Sequence, residues 1–238
     1  MKLLRLFFLF SVVSFLTNHT AVAQKKSRKD YLLTLSTQYG DIKLVLHDKT
    51  PLHKANFLKL VEQKFYDSLL FHRIIENFMI QGGDPNSRNA KPGDRLGNGG
   101  GDMEKIPAEF VPDLFHKKGA LAAARDGNPE KKSSACQFYI IHGKVWNDED
   151  LNKQLARSGV RQPTEEQRQV YKTLGGTPHL DGGYTVFGQA IAGLAVVDSI
   201  AKQPRNAVDR PLKDVKMMIT AKKMRKKKIT KLYGYQFD

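Results

Sequence analysis

The chain has 238 residues, with 39 Lys and Arg against 24 Asp and Glu, a formal net charge of +15, and one cysteine, Cys136. A single cysteine excludes an internal disulfide, so the fold must rest on an apolar core, and the length is ample for one domain with insertions. The basic balance admits a nucleic-acid or acidic-surface partner, yet no aromatic residue interleaves the basic run 222–228, KKMRKKK, so a solvated strand and tail are expected there and nucleic acid is not an expected partner.

The first segment reads as a secretory signal. Lys2 and Arg5 precede an apolar run, Leu6–Leu16, and Ala21-Val22-Ala23 fits a small-residue cleavage site. That run is short against the roughly 20 residues a spanning helix needs. Residues 1–23 are therefore expected to be cleaved, leaving a periplasmic or secreted product with no stable membrane insertion. Residues 24–29 form a short basic linker.

From 30 to 224 the pattern is that of one domain. Tyr31–His47 reads strand–turn–strand, with Leu33 and Leu35 alternating before TQYGD and Ile42, Leu44 and Leu46 alternating after it. Thr50 as N-cap and Pro51 at the first position start a helix that carries Leu52, Ala55, Leu58, Val61 and Phe65. FHRIIENFMIQGGD, residues 71–84, reads as strand, and simple alternation puts Arg73 on one face with Phe71 and Ile75. The loop that follows has glycines at 93, 97, 99, 100 and 101 but fits no phosphate-binding pattern. Gly119–Ala124, Gln137–Ile141, Thr185–Gln189 and Val215–Thr220 read as strands, and Leu194–Ala201 as a helix. Many short strands with two separated helices predict a closed antiparallel barrel with helical caps.

Residues 146–176 interrupt this rhythm with a polar insertion. Asp148, Glu149 and Asp150 suit a helix N-terminus, and Leu151 and Leu155 share a face. Pro163-Thr164-Glu165-Glu166 starts a second helix, from which Val170 and Leu174 are expected to pack on the first. The insertion lies between the strand carrying Tyr139 and the Leu180-Asp181-Gly182 loop and is expected beside the mouth of any groove they form, either as a decoration or as an arm contacting protein partners. Residues 225–238 are expected to be a basic tail.

Four blocks together resemble the cyclophilin family of peptidyl-prolyl cis-trans isomerases: FHRIIENFMIQGGD (71–84), GNGGGDMEKIPAEF (97–110), GALAAARDGNPEKKSSACQFYI (119–140) and LDGGYTVFGQAIAGLAVVDSI (180–200). The resemblance spans Asp30 to Met224 apart from the insertion. It implies a closed eight-stranded antiparallel β-barrel capped by two α-helices. It also implies an enzyme that needs no cofactor or metal, acts on proline-containing polypeptides as folding clients, and is a monomer. Matched position by position, Arg73 falls on the catalytic arginine, Gln81 on the glutamine beside it and His72 on the preceding histidine. Phe78, Met79, Tyr139 and Leu180 fall on the apolar proline pocket. Ala124, Arg125 and Gln137 fall on the adjoining peptide groove. His179 stands where animal members carry tryptophan, which argues against tight cyclosporin binding. Tyr184 stands where they carry histidine, and Tyr139 where phenylalanine is common, an extra hydroxyl that solvent could take. Ala135-Cys136 replaces the frequent Gly-Ser.

An arginine suits this chemistry because rotation about an X–Pro bond makes no bond and moves no proton. The twisted amide nitrogen regains a lone pair, and a fixed cationic donor stabilises it more than either planar form. A lone strand arginine would otherwise seek an ion pair, with Asp84 or Glu109 as possible partners. The histidines show no metal-site spacing, no G-x-S-x-G motif supports a hydrolase, and Cys136 reads as a small buried hydrophobe rather than a nucleophile. The competing reading is a non-catalytic barrel that grips a proline-containing partner.

Overall fold

A computed structural model describes residues 27–237; the signal expected at 1–23 lies outside them. Eight strands form one sheet: β1 (Lys29–Thr37), β2 (Gly40–Leu46), β3 (Phe71–Ile75), β4 (Met79–Gly82), β5 (Ala120–Ala123), β6 (Phe138–Ile141), β7 (Val186–Ala192) and β8 (Met218–Arg225). Their order is β3-β4-β6-β5-β7-β2-β1-β8, and every neighbouring pair is antiparallel. Among the described residues five α-helices accompany them: α1 (Pro51–Glu62), α2 (Asp148–Ser158), α3 (Glu165–Thr173), α4 (Leu194–Ala201) and α5 (Lys226–Tyr233).

The expected closed barrel is corrected: the sheet curls into an open half-barrel with β3 and β8 at its two ends. The edges meet at one bridge, Leu70 with Lys216, flanked by backbone bonds from Phe71 N to Val215 O and from Met217 N to Leu69 O. Side chains fill the seam in place of a ladder. Val215 and Met217 are buried, and the end of Met217 lies where a Cβ on Gly82 would stand. The closing strand accordingly runs Met218–Arg225, later than the expected Val215–Thr220.

Inside the curl, Leu33, Leu35, Ile42, Leu44, Ile80, Leu121, Phe138 and Ile140 pack with Phe57, Leu60 and Val61 of α1 and with Val197 and Ile200 of α4. These two helices are the expected caps. Burying a side chain of this size contributes about 1.5–3 kcal/mol. Helix α1 begins with Pro51 as expected, but the Thr50 side chain caps nothing. Glu109 does so instead: its two oxygens accept from Leu52 N and His53 N, both at 3.0 Å. The same carboxylate holds His53 Nδ1 at 2.6 Å, and His53 Nε2 meets Ser133 Oγ at 2.9 Å. This hydroxyl–imidazole–carboxylate array is enclosed, with Ser133 and His53 at 1% and 2% exposure, so no substrate reaches it.

The insertion folds as two helices on its own small core of Trp146, Leu151, Leu155 and Tyr171. Thr164 and Gln167 cap α3 reciprocally. Tyr171, rather than Val170 and Leu174, faces α2, and Leu174 is exposed. The expected tail is ordered as far as Phe237. Ile229 of α5 is buried against Leu32 and Val45, with Tyr235 and Phe237 packed beside it. Among the described residues no helix is long and apolar enough to cross a membrane.

Candidate active site

FHRIIENFMIQGGD is a hairpin, β3–turn–β4, rather than one strand. The turn is fixed by Asn77, at φ 63°, whose N–H donates to His142 Nδ1 at 2.8 Å. A register shift between Phe71 and Arg73 changes the phase of β3. Phe71 and Ile74 therefore join the inner core, while Ile75 packs with the cluster on the outer face. Arg73 lies opposite Gln81 on β4 and shares the outer face with Ile75, not with Phe71 as simple alternation suggested.

Pairing then aligns the site. Arg73 pairs with Gln81, Gln81 with Tyr139, and Tyr139 with Ala122, so one row crosses β3, β4, β6 and β5 on the outer face. Met79, Ala120, Ala122, Tyr139, Ile141 and Val186 form an apolar floor, with Phe78, Leu180 and Tyr184 packed on it. Above that floor is a cavity of about 120 Å³ lined by Arg73, Phe78, Met79, Gln81, Ala124, Arg125, Tyr139, Leu180 and Tyr184. Gln81, Ala124 and Arg125 also line a second cavity of about 370 Å³, with Gln137 and the glycines at 97, 99, 100 and 101.

Arg73 has a side chain 40% exposed, and its Nε lies 3.6 Å from Asp209 Oδ2. Neither Asp84 nor Glu109 is its partner: Asp84 accepts from the Asn86 and Gly97 N–H groups, and Glu109 caps α1. The Asp209 loop docks on β3 through Ile74 N to Asp209 O at 2.9 Å. From the other side, Arg73 Nη1 donates to Gln81 Oε1 at 3.5 Å, a weak bond. Gln81 Nε2 donates to Gln137 Oε1 at 3.2 Å, and Gln137 Nε2 to the Gly97 and Gly99 carbonyls at 2.9 and 3.0 Å. The donor order fixes both amides and ties the glycine-rich loop to the arginine. Gly99 is required there, since an added Cβ would overlap Asp84 Oδ1. The guanidinium carbon also sits 5.9 Å from the Phe78 ring centroid.

Arg125 stacks over Tyr184 at 4.6 Å while its Nε donates to Gly183 O at 2.8 Å. His179 does not line the cavity; it stacks behind Phe78, centroids 5.6 Å apart. His72 is also outside. It is buried beneath Gly97, and neither ring nitrogen makes a hydrogen bond of good geometry. Burial pushes its imidazole down to about 4, against the pull of Asp84, with the Arg73 and Arg210 charges adding to the depression. Ala135 needs no positive φ. Cys136 is buried and burial pushes its thiol up, so it is no nucleophile.

The Tyr139 hydroxyl does not face solvent. It meets His116 Nε2 at 3.0 Å, and burial raises its phenol well above the ordinary value. Asp209, His116 and Asp181 are the site's supporting residues that sequence reasoning missed. Asp181 sat in the quoted LDGG string, but nothing local marks Asp209 or His116. Among the described residues, no group of three or more His, Cys, Asp or Glu side chains could hold a metal ion.

Comparison with known proteins gives a consistent answer. The profile of the family described as cyclophilin type peptidyl-prolyl cis-trans isomerase/CLD matches residues 32–222. A Staphylococcus epidermidis protein, named provisionally as a peptidyl-prolyl cis-trans isomerase, is 33% identical over 203 residues, covering 84% of this chain and 95% of its own. A Staphylococcus aureus protein of the same name is 35% identical over 195 residues, covering 77% and 92%. A Streptococcus pyogenes serotype M6 protein, named provisionally as a bifunctional phosphatase/peptidyl-prolyl cis-trans isomerase, is 38% identical over 189 residues; these cover 77% of this chain but 37% of that longer protein. Among solved structures, a Cryptosporidium parvum cyclophilin-type isomerase superposes with TM-score 0.60 at 23% identity, covering 82% of this chain and 98% of that one. At this identity the likeness speaks for the fold. With the match to 32–222 covering most of its length, the chain belongs to the cyclophilin-type peptidyl-prolyl cis-trans isomerase family.

Proposed function

We propose that this protein accelerates rotation about X–Pro bonds in polypeptides, with Arg73 as the catalytic residue and Gln81 as its orienting partner. The observation that carries the reading is a guanidinium held at the rim of an apolar cavity of about 120 Å³ by Asp209 on one side and Gln81 on the other. A related structure was determined in the presence of the dipeptide Ala-Pro, which fits a site of this kind. In the proposed mechanism Phe78, Met79, Tyr139 and Leu180 clamp the prolyl ring and exclude water. Arg73 holds the preceding carbonyl and donates toward the nitrogen as it becomes pyramidal. The uncatalysed barrier is about 18–20 kcal/mol, and a preorganised donor acts on it because the charge it meets exists only in the twisted state. Ala124, Arg125 and Gln137 receive the residues before the proline, with Tyr184 stacked under Arg125. His179 backs the Phe78 ring, and His72, within β3, packs beneath Gly97.

Residues 1–23 have the pattern of a cleaved signal, so the clients we propose are exported proteins folding in the periplasm or outside the cell, met by a monomer. The test is Arg73→Ala in a protease-coupled assay on a prolyl tetrapeptide. We expect kcat/KM to fall about 10²–10³-fold while the circular dichroism spectrum is unchanged. Near-normal kcat/KM in the folded variant would remove Arg73 from the mechanism. Peptide binding by the unsubstituted protein without any isomerisation would make the barrel a binding module.

A further inference from the structure

The insertion reaches the proline pocket through a chain of buried hydrogen bonds. Tyr171 of α3 is fully buried, and its hydroxyl donates to Asp181 Oδ2 at 2.6 Å. Asp181 Oδ1 accepts from His116 N at 2.9 Å and from His116 Nδ1 at 2.8 Å. With Nδ1 turned to the carboxylate, Nε2 meets the Tyr139 hydroxyl at 3.0 Å. Both phenols are held protonated: burial raises each, and Asp181 adds to the rise. The contacts run unbroken from Tyr171 through Asp181 and His116 to Tyr139. Its inner end is a wall of the cavity, and Asp181 directly follows another wall residue, Leu180.

We propose that Tyr171 is a positioning residue of the proline pocket, acting through Asp181 and His116 on Tyr139 and on the Leu180 turn. This rests on the function proposed above and assigns the 146–176 insertion a part in that site, rather than the role of a decoration or a separate client-contact arm. The physical reason is that an aspartate buried among two tyrosines and a histidine has one arrangement that satisfies all its partners. Helix α2 packs on the turn Pro178–Leu180, so the same turn is gripped twice by the insertion. A wall fixed in this way binds the prolyl ring alike in its planar and twisted forms. Its loosening therefore raises KM and spares kcat.

The experiment compares Tyr171→Phe, Tyr139→Phe and the double variant, each a loss of one oxygen. The readouts are KM and kcat on a prolyl tetrapeptide and the Kd of the same peptide by NMR titration. Losing one such bond should raise KM and Kd about five- to tenfold, with kcat within about twofold. The double variant should be no weaker than the weaker single one, because each substitution breaks the same chain. A merely structural Tyr171 would lower the melting temperature and leave KM and Kd of the folded protein unchanged, and that result overturns the proposal. Multiplying effects in the double variant overturn it too. If Tyr171→Phe does not fold, amide hydrogen exchange decides from the other end. Tyr139→Phe should speed exchange in α3 several-fold, and unaltered exchange there refutes the coupling. Absence of isomerisation in the unsubstituted protein would defeat the proposed function, while Kd would still judge the chain of contacts.

Discussion

The molecule contains the same hydroxyl–imidazole–carboxylate arrangement twice. In the core it is Ser133, His53 and Glu109; beside the pocket it is Tyr139, His116 and Asp181. In each, Nδ1 faces the carboxylate and Nε2 the hydroxyl. What separates them is the occupant of the remaining carboxylate oxygen. Glu109 Oε1 takes a helix N–H, from Leu52, so the first array anchors α1 to the sheet. Asp181 Oδ2 takes the Tyr171 hydroxyl, so the second anchors the insertion to a wall of the cavity of about 120 Å³. A triad is therefore no evidence of chemistry until its surroundings are known; here one array secures a helix and the other a pocket.

Three changes would break or sharpen that contrast. The largest effect is expected from Glu109→Ala, which strips α1 of its cap and leaves two N–H groups and His53 Nδ1 unpaired. We expect about 4 kcal/mol of lost stability in urea melts, with KM of the folded fraction unchanged. A raised KM would mean that the core array also shapes the pocket.

Another buried histidine, His72, has neither partner and shows what an unsupported imidazole does. Its native value is about 4, below the 6.5 of the free side chain, so the unfolded chain binds the extra proton. Its stability contribution is intact above pH 6.5 and is lost as pH falls toward 4, by about 3 kcal/mol. His53 and His142, both also lowered chiefly by burial, push in the same direction. Urea midpoints should fall between pH 7 and 4.5, and His72→Leu should flatten the slope. An unchanged slope would show that His72 does not control it. The smallest effect is expected from Ser133→Ala, about 1 kcal/mol by the same melts, with isomerase activity retained.

What the sequence made legible had a local signature. Alternation found β1 and β2, helical spacing found α1, the helix read at Leu194–Ala201 has the bounds of α4, and Pro163-Thr164-Glu165-Glu166 marked the start of α3. Nine of the pocket positions came from strings in which neighbours in sequence remain neighbours in space. What it hid was pairwise and distant. Arg73 meets Asp209 because a far loop docks on β3, and α1 is capped by Glu109 because the chain returns there. The bulge at Phe71–Arg73 has no residue type that announces it, yet it decides which way the arginine points. The expected basic tail at 225–238 gave no sign of a helix, and only the burial of Ile229 against Leu32 and Val45 explains why α5 forms.

Trp146 is the chain's only tryptophan. It is buried against Tyr171, Leu151 and Leu155, with its indole N–H donating to Gly176 O at 2.9 Å and the Lys144 ammonium 4.1 Å from its ring. Light absorbed at the red edge of the aromatic band is emitted from this one site, so fluorescence reports on the insertion while far-ultraviolet dichroism reports on the whole backbone. Two denaturation curves from one sample then measure whether residues 146–176 melt with the sheet or as a separate cooperative unit.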